Sequence, residues 1–426
     1  VKLEEQRMTA IITNDDAQYA FEIVRTICTE VGPGLPCSSK ERERAMMIKK
    51  ELESHLGAGN IVVEEFTLAP DAFLSPYPIT FSMIMAVLLN ISAGHFRGIS
   101  SWLIASAALA FSILSLLLFV LEFLLGLELV DPLFGKKRSI NVIGRLRKPG
   151  VREVKHLLLL SGHHDSAQEN TWLRLLSYGF FFLSTTFFIG LITMLVMSLV
   201  QLTGFIAGIG NIIDAGTLGW VPLVYPIIPS IIYILFSTRG KKNGGNVPGA
   251  VDNLAASALT VAMCRFLVNN PDCIPEDTEI RFISFGSEEA GLRGSRRYVE
   301  RHLDELKRLE ARLLNIEMVA YPEIGILTSD MNGTLKYSVE MVTSVVAAAE
   351  RARIPYRVKP ASIGVGTDAA SFSKAGIKAL TLLPFKVPQQ MVAFYHTDRD
   401  RPEVLSLEPL LNVLKLTLEW VRCSGE

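Results

Sequence analysis

Several apolar runs in this chain stop at side chains that bind metals or move protons. HLLLLSG (156–162) runs into His163, His164 and Asp165. A second apolar region returns into Gly249-Ala250-Val251-Asp252-Asn253, RFISF (281–285) leads to Glu288 and Glu289, RLLNI leads to Glu317, and His396 follows the aromatic pair Phe394-Tyr395. Singly, each has an ordinary explanation: a lone histidine is more often a hydrogen-bonded structural group than a ligand, and a Glu-Glu pair is usually a solvated strand end. Together they form a set of imidazoles and carboxylates without thiolate, which suits a hydrolytic metal site. An aspartate can bridge two ions, so five side chains give each ion three protein ligands and leave room for a shared water. Two zinc ions ~3.5–4 Å apart lower the pKa of such a water and polarise a carbonyl.

These residues need a scaffold that brings distant segments together. The periodicity predicts amphipathic helices over 17–31 and 39–56 and strands over 60–68, 140–146 and 156–162. Further on it predicts a helix over 253–267, strands at 281–285 and 312–320, helices over 291–310 and 335–352, a strand at 379–385 and a terminal helix over 406–421. Strands alternating with helices imply an α/β fold, a three-layer α/β/α sandwich with a mixed, mostly parallel sheet. Chemistry in such sheets sits at the carboxyl ends of strands, and the candidate residues are expected at strand ends.

The scaffold is interrupted. Hydrophobic residues make up 49% of the 426 and charged residues 20%, which excludes intrinsic disorder, a collagen-like fibre and a disulfide scaffold. A net charge of −1 gives no basic footprint for nucleic acid. Between Asp71 and His95, and again between Arg97 and Glu122, about 23 residues are uncharged, close to the ~20 that cross a bilayer. A third run follows Arg174 and continues to Asp214, and a fourth, 215–238, carries Pro222, Pro226 and Pro229. Buried core helices of this length would show a polar face, so the runs read as two transmembrane helical hairpins. The chain then divides into one α/β domain in three parts (1–71, 132–171 and 239–426) and hairpins at 72–131 and 172–238. The opening VKLEEQRMTAIITNDDAQ has no apolar stretch of signal-peptide type. Five cysteines do not suggest a disulfide framework and read as reduced, although Cys28 and Cys37 are close enough in sequence to pair.

In order, the motifs Gly162-His163-His164-Asp165-Ser166, Pro248-Gly249-Ala250-Val251-Asp252-Asn253, Ser287-Glu288-Glu289-Ala290-Gly291-Leu292-Arg293-Gly294-Ser295, Asn315-Ile316-Glu317-Met318-Val319 and Tyr395-His396-Thr397 resemble the family of dizinc exopeptidases that includes leucyl aminopeptidases, glutamate carboxypeptidase and glutaminyl cyclase. GPGLPCSSKERERAMMIKKELE looks like the family's opening loop and helix, so the resemblance covers nearly all of the chain outside the hairpins. It implies that His163 and Glu317 hold one Zn2+ ion, that Glu289 and His396 hold a second, and that Asp252 bridges them. Glu288 would be the general base, Asp165 would fix the tautomer of His163, Asp368 would lie close by, and Tyr395 would assist the oxyanion. Two positions depart from the pattern: most members carry Asp where Glu317 stands, and the His that often follows the Asp at position 368 is Ala369 here.

The resemblance implies a membrane-anchored zinc aminopeptidase that hydrolyses peptide bonds. Glutaminyl cyclase, carboxypeptidase, N-acyl amino acid amidase and a non-catalytic scaffold are the competing readings. The scaffold reading predicts lost ligands, whereas all five positions keep ligand-type residues; the cyclase reading predicts Ser at Asn253. The expected partners are a peptide substrate, hydrophobic or membrane-associated, and the lipid bilayer. Lys136, Lys137 and Arg138 follow one hairpin and Arg239, Lys241 and Lys242 the other, while Arg97 is the clear positive charge of the opposite turns. The positive-inside rule then makes this a multi-pass membrane protein with a cytoplasmic catalytic domain. With few residues between Asp165 and the apolar run after Arg174, and about a dozen from Thr238 to Asp252, chain length at ~3.3 Å per residue keeps the site within roughly 30–45 Å of the bilayer.

Overall fold

A computed structural model describes residues 10–73, 75–151, 153–213, 220–231, 245–362 and 364–424. The chain separates into two units. One comprises Val1–Pro70, Lys136–Glu169 and Lys241–Glu426, and the other Asp71–Gly135 and Asn170–Gly240.

In the first unit the strands are β1 (Ile61–Leu68), β2 (Lys137–Arg147), β3 (His156–His163), β4 (Thr278–Phe285), β5 (Arg312–Ile316), β6 (Ile324–Leu327), β7 (Ser329–Asp330), β8 (Leu335–Lys336), β9 (Tyr356–Lys359) and β10 (Lys378–Leu383). Among the described residues eight of them form one mixed sheet in the order β1-β2-β4-β3-β5-β10-β6-β9. The central pairs β4–β3, β3–β5 and β5–β10 are parallel, whereas β1–β2, β2–β4 and β10–β6 are antiparallel. The apolar runs of β3 and β4 lie in the middle because a strand covered on both faces must be apolar on both. Successive side chains of β4 show the two covers. Ser284 shares a 2.7 Å hydrogen bond with Ser257 on the helix Ala255–Asn269, while Phe285 meets the rings of Tyr298 and Phe372 on the helices Arg293–Arg308 and Ala369–Lys374. Period-two alternation places those helices on opposite faces. Asn14–Glu30, Ser39–Leu56 and Leu407–Cys423 pack with Ala255–Asn269.

Some elements differ from the sequence-based expectation. The strand expected over 312–320 ends at Ile316, and Met318 takes a left-handed φ of 47°, which turns the chain out of the sheet just as Glu317 leaves it. The helix expected from 335 begins at Val339, because 335–336 pair as β8 with β7. Strands β6 and β9 were not anticipated. IGIL is only four residues long, and YRVK is an edge strand whose side chains are half-buried or exposed. Cys28 and Cys37 are not bridged; their sulfurs contact the Pro248 carbonyl and the Ser287 hydroxyl, each at 3.8 Å.

The second unit is helical: Pro76–Ala93, Ile99–Leu118 continued by a wider turn to Leu124, Thr171–Leu176, and Gly179–Ile206. Pro76 sits at the first turn of its helix, where a missing N–H costs no bond. Its polarity is inverted relative to a water-soluble domain. Phe81, Leu103 and Phe182 are exposed, whereas Ser82, Asn90, Ser112, Ser198 and Gln201 are buried. Asn90 donates to Ser198 at 2.8 Å, Ser198 and Ser112 share a 2.7 Å bond, and Ser115 donates to Ser82 at 3.0 Å. A β-carbon at Gly190 would come within 2.7 Å of Pro226, so glycine permits close packing there. Pro76–Ala93, Ile99–Leu124 and Gly179–Ile206 are long and apolar enough to cross a membrane. Of the fourth expected span, 215–238, the described part holds the shorter apolar helix Val221–Ile231; residues 215–219 and 232–238 lie outside the described residues. Ala250–Asn269 is also long and apolar, but it is buried almost throughout inside the first unit, where it covers the sheet.

Candidate metal centre

His163 is the last residue of β3, and a close backbone approach places it. A β-carbon on the preceding Gly162 would lie 2.5 Å from Ala256, so glycine is what lets the strand end sit against the helix that follows Asp252. Glu288 and Glu289 follow β4, and Glu317 follows β5. The expectation that every candidate ends a strand is corrected for two of them. Asp252 lies in the irregular turn Ala250–Leu254 that opens a helix, and His396 lies in the loop after Gln389–Ala393.

The structure brings His163, Asp252, Glu288, Glu289, Glu317 and His396 together. Nε2 of His163 lies 3.4 Å from Asp252 Oδ1, 3.3 Å from Glu317 Oε1 and 3.7 Å from Glu288 Oε2. Nε2 of His396 lies 3.1 Å from Asp252 Oδ2 and 3.2 Å from Glu289 Oε1. The two oxygens of Asp252 thus face two different groups of donors. Three sets, His163/Asp252/Glu317, Asp252/Glu289/His396 and His163/Glu288/Glu289, each present donor atoms within 4.8 Å of one another.

Asp165 lies behind this cluster. Its Oδ1 is 3.2 Å from His163 Nδ1, and its two oxygens accept from the backbone N–H groups of Glu288 and Glu289 at 3.1 and 3.0 Å. Tyr395 stacks on His396, with ring centroids 3.7 Å apart. Asp368 is fully buried, and burial pushes its carboxyl up to about 7. His164 stands apart from the cluster. Alternation turns it to the other side of the strand end, where Nδ1 is 2.9 Å from Ser284 Oγ; burial lowers it to about 3, which keeps the ring neutral.

The electrostatics are those of carboxylates gathered for a cation. Burial pushes Glu317 up to about 8 and Glu288 well above the ordinary carboxylate range. Burial alone would lower His163, but Glu288 and Glu317 outweigh it and raise the ring well above 6.5. Burial opposes protonation of His396 too, yet Glu289 and Asp252 hold it at about 10. Protons alone must otherwise offset this crowding. Both ring nitrogens of His163 and Oε1 of Glu289 are buried without a well-formed hydrogen bond, which is costly unless something else satisfies them. Buried imidazole and carboxylate donors, converging and unsatisfied, fit zinc.

Comparison with known proteins agrees. Residues 237–421 match the profile of peptidase family M28. The chain carries a peptidase family M28 domain. Asp252, Glu288, Glu289, Glu317 and His396 lie inside the matched M28 residues, and His163 and Asp165 precede them. Aminopeptidase YwaD of Bacillus subtilis (strain 168) is 34% identical over 188 residues, 43% of this chain and 38% of the relative, so the chain spans about two-fifths of the length of that curated relative. Among solved structures, the zinc aminopeptidase BSAP from Bacillus subtilis superposes with a TM-score of 0.54 at 16% identity, covering 96% of this chain and 95% of that one. A glutaminyl cyclase from an Acidobacteriales bacterium gives 0.54 at 14% identity over 99% and 97%. These superpositions show that the M28 domain here shares the α/β fold of zinc aminopeptidases.

The sequence missed Asp400 and gave Asn253 only as a motif residue that argues against a cyclase. Asp400 and Asn253 are completely buried and hydrogen-bond to the segments that carry the clustered side chains. Asp400 lies in the run Asp398-Arg399-Asp400-Arg401, which reads as solvated charge, and no spacing marks it.

Proposed function

We propose that the chain is a membrane-anchored, zinc-dependent aminopeptidase with two metal positions: His163 and Glu317 hold one, Glu289 and His396 the other, and Asp252 joins them. The observation that carries the reading is the carboxylate of Asp252, with Oδ1 toward His163 and Oδ2 toward His396. The longer side chain of Glu317, where relatives would have Asp, still reaches to 3.3 Å from His163. Zinc at the two positions would supply Lewis-acid polarisation of a carbonyl and acidification of a water. Glu288 takes a proton from the attacking water and passes it to the leaving amine as the C–N bond breaks; its upward shift is the direction that general-base chemistry near neutral pH needs. Asp165, with Oδ1 3.2 Å from His163 Nδ1, favours the tautomer protonated at Nδ1 and so leaves Nε2 as the metal-facing atom. Tyr395, which burial and then the nearby carboxylates keep protonated, donates toward the oxyanion.

The inverted polarity of the helical unit supports the membrane part of the reading: outward apolar side chains suit lipid, and buried Ser and Asn pairs bind helices to one another where the hydrophobic effect does not. The cationic clusters 136–138 and 239–242 favour a cytoplasmic catalytic domain.

The test uses the detergent-purified full chain, stripped of metal with a chelator and reloaded with zinc, against aminoacyl-nitroanilides, N-blocked peptides, N-acyl amino acids and N-terminal glutaminyl peptides. Activity that is lost on stripping, restored by zinc and confined to free N-termini is the expected result. Asp252→Asn should lower the content of both zinc ions together. Cyclisation of the glutaminyl peptides without peptide-bond cleavage would instead make the chain a cyclase.

A further inference from the structure

Three segments far apart in sequence, 250–253, 316–318 and 396–400, must hold a fixed register if Asp252 is to face both donor groups at once. Two buried side chains outside the donor set join them. Asp400 accepts from Val251 N at 2.7 Å through Oδ1 and from Asp252 N at 3.1 Å through Oδ2, and its backbone oxygen accepts from Ala250 N at 3.3 Å. A turn in which Asp400 N donates to the Thr397 carbonyl at 3.1 Å connects it to the segment bearing His396. Asn253 straddles Glu317. Its Nδ2 donates to the Ile316 carbonyl at 3.0 Å, and its Oδ1 accepts from Met318 N at 3.2 Å. Asp400 therefore locks the Asp252 turn to the His396 loop, and Asn253 locks the same turn to the Glu317 loop. Asp165 does the equivalent between His163 and the Glu288-Glu289 backbone.

We infer that Asp400 and Asn253 are positioning residues that orient the Asp252 carboxylate between the two metal positions and thereby set zinc affinity at both; the inference rests on the dizinc reading above. A bridging carboxylate must present one oxygen to each side, and a small rotation of its turn favours one side over the other. Both side chains are 0% exposed, so no water replaces these partners, and abandoning them would strand buried polar groups. The two bonds that Asp400 accepts from consecutive backbone amides leave the turn little freedom. Neither residue reaches a substrate.

The experiment compares the full-length wild type with Asp400→Asn, which keeps the shape but replaces one of the two accepting oxygens with an NH2 donor facing an N–H, and Asn253→Asp, which loses the donor to Ile316. Metal-free protein is titrated with zinc against a chromogenic chelator, giving stepwise affinities and stoichiometry without reference to turnover, and the thermal midpoint of each metal-free variant is recorded. The expected outcome is two zinc ions per wild-type chain and a roughly 10–100-fold weaker affinity in each variant, the range typical of groups behind metal ligands. If Asp400→Asn does not fold, Asn253→Asp carries the same test. Variants with lowered thermal midpoints but wild-type zinc affinities would reduce both residues to scaffolding and overturn the inference. A wild type that binds no zinc would overturn the dizinc reading itself, and this inference with it.

Discussion

Glu288 has its backbone fixed by Asp165 and its carboxylate 3.7 Å from His163 Nε2, so its removal tests chemistry more than folding. Glu288→Gln preserves volume and loses only the ability to take a proton. It should retain the wild-type zinc content, read by elemental analysis, while kcat/KM falls roughly 10²–10⁴-fold, the usual contribution of a general base. Full activity in this variant would remove Glu288 from the mechanism. The donors themselves were legible in the sequence because they interrupt apolar runs. His163 and His164 are equivalent by type, and only the alternation of a strand end separates them. Asp400 and Asn253 were not legible as positioning groups, because a hydrogen bond to the backbone of a segment 63 to 149 residues away leaves no periodicity and demands no residue type at the other end.

At the scale of elements, strand β4 carries an arginine in its interior. Arg281 is 1% exposed and reaches Glu305 on the helix Arg293–Arg308 through two bonds of 2.9 and 2.7 Å, with Glu279 at 2.7 Å. The pairing ties one covering helix to the strand that leads into Glu288. Hydrogen bonding to Arg281 holds Glu305 below its ordinary value of 4.5. A carboxyl depressed in the folded state contributes stability above its unfolded pKa and loses that contribution as the pH falls through the folded value. Glu305→Gln should therefore lower the thermal midpoint at pH 7, at a cost of about 1–2 kcal/mol, and the gap from wild type should begin to close below about 4.5. An unchanged gap between pH 7 and pH 3.5 would count against the ion pair. The sequence showed the central strands of this sheet plainly, since β3 is an unbroken apolar run and β4 carries apolar residues on both faces around Arg281. Short β6 and half-exposed β9 gave no such pattern and owe their structure to neighbours, β10 for the first and β6 for the second.

At the scale of the whole molecule, the question is what the helical unit does for the α/β unit. The chain leaves the α/β unit after Glu169, four residues past Asp165, and returns to it before the turn that bears Asp252. The longest apolar helix, Gly179–Ile206, is thus inserted in sequence between two parts of the proposed metal site. Anchoring needs no such position, since a single span at one terminus would hold an enzyme at a bilayer. On the proposed membrane reading, an insertion between residues of the site would make bilayer and catalysis neighbours along the chain, and the substrates this would favour are apolar peptides or the N-termini of membrane-associated chains. Such substrates concentrate in the bilayer, where each buried methylene adds ~0.8 kcal/mol. Catalytic efficiency on one peptide series should therefore rise with the length of a carboxyl-terminal acyl tail when the protein is in liposomes, and rise much less in detergent at matched total substrate. The gain should appear in KM, because the tail raises local concentration and does not touch the reacting bond. Equal efficiency across the series in liposomes would leave the helices as anchors alone.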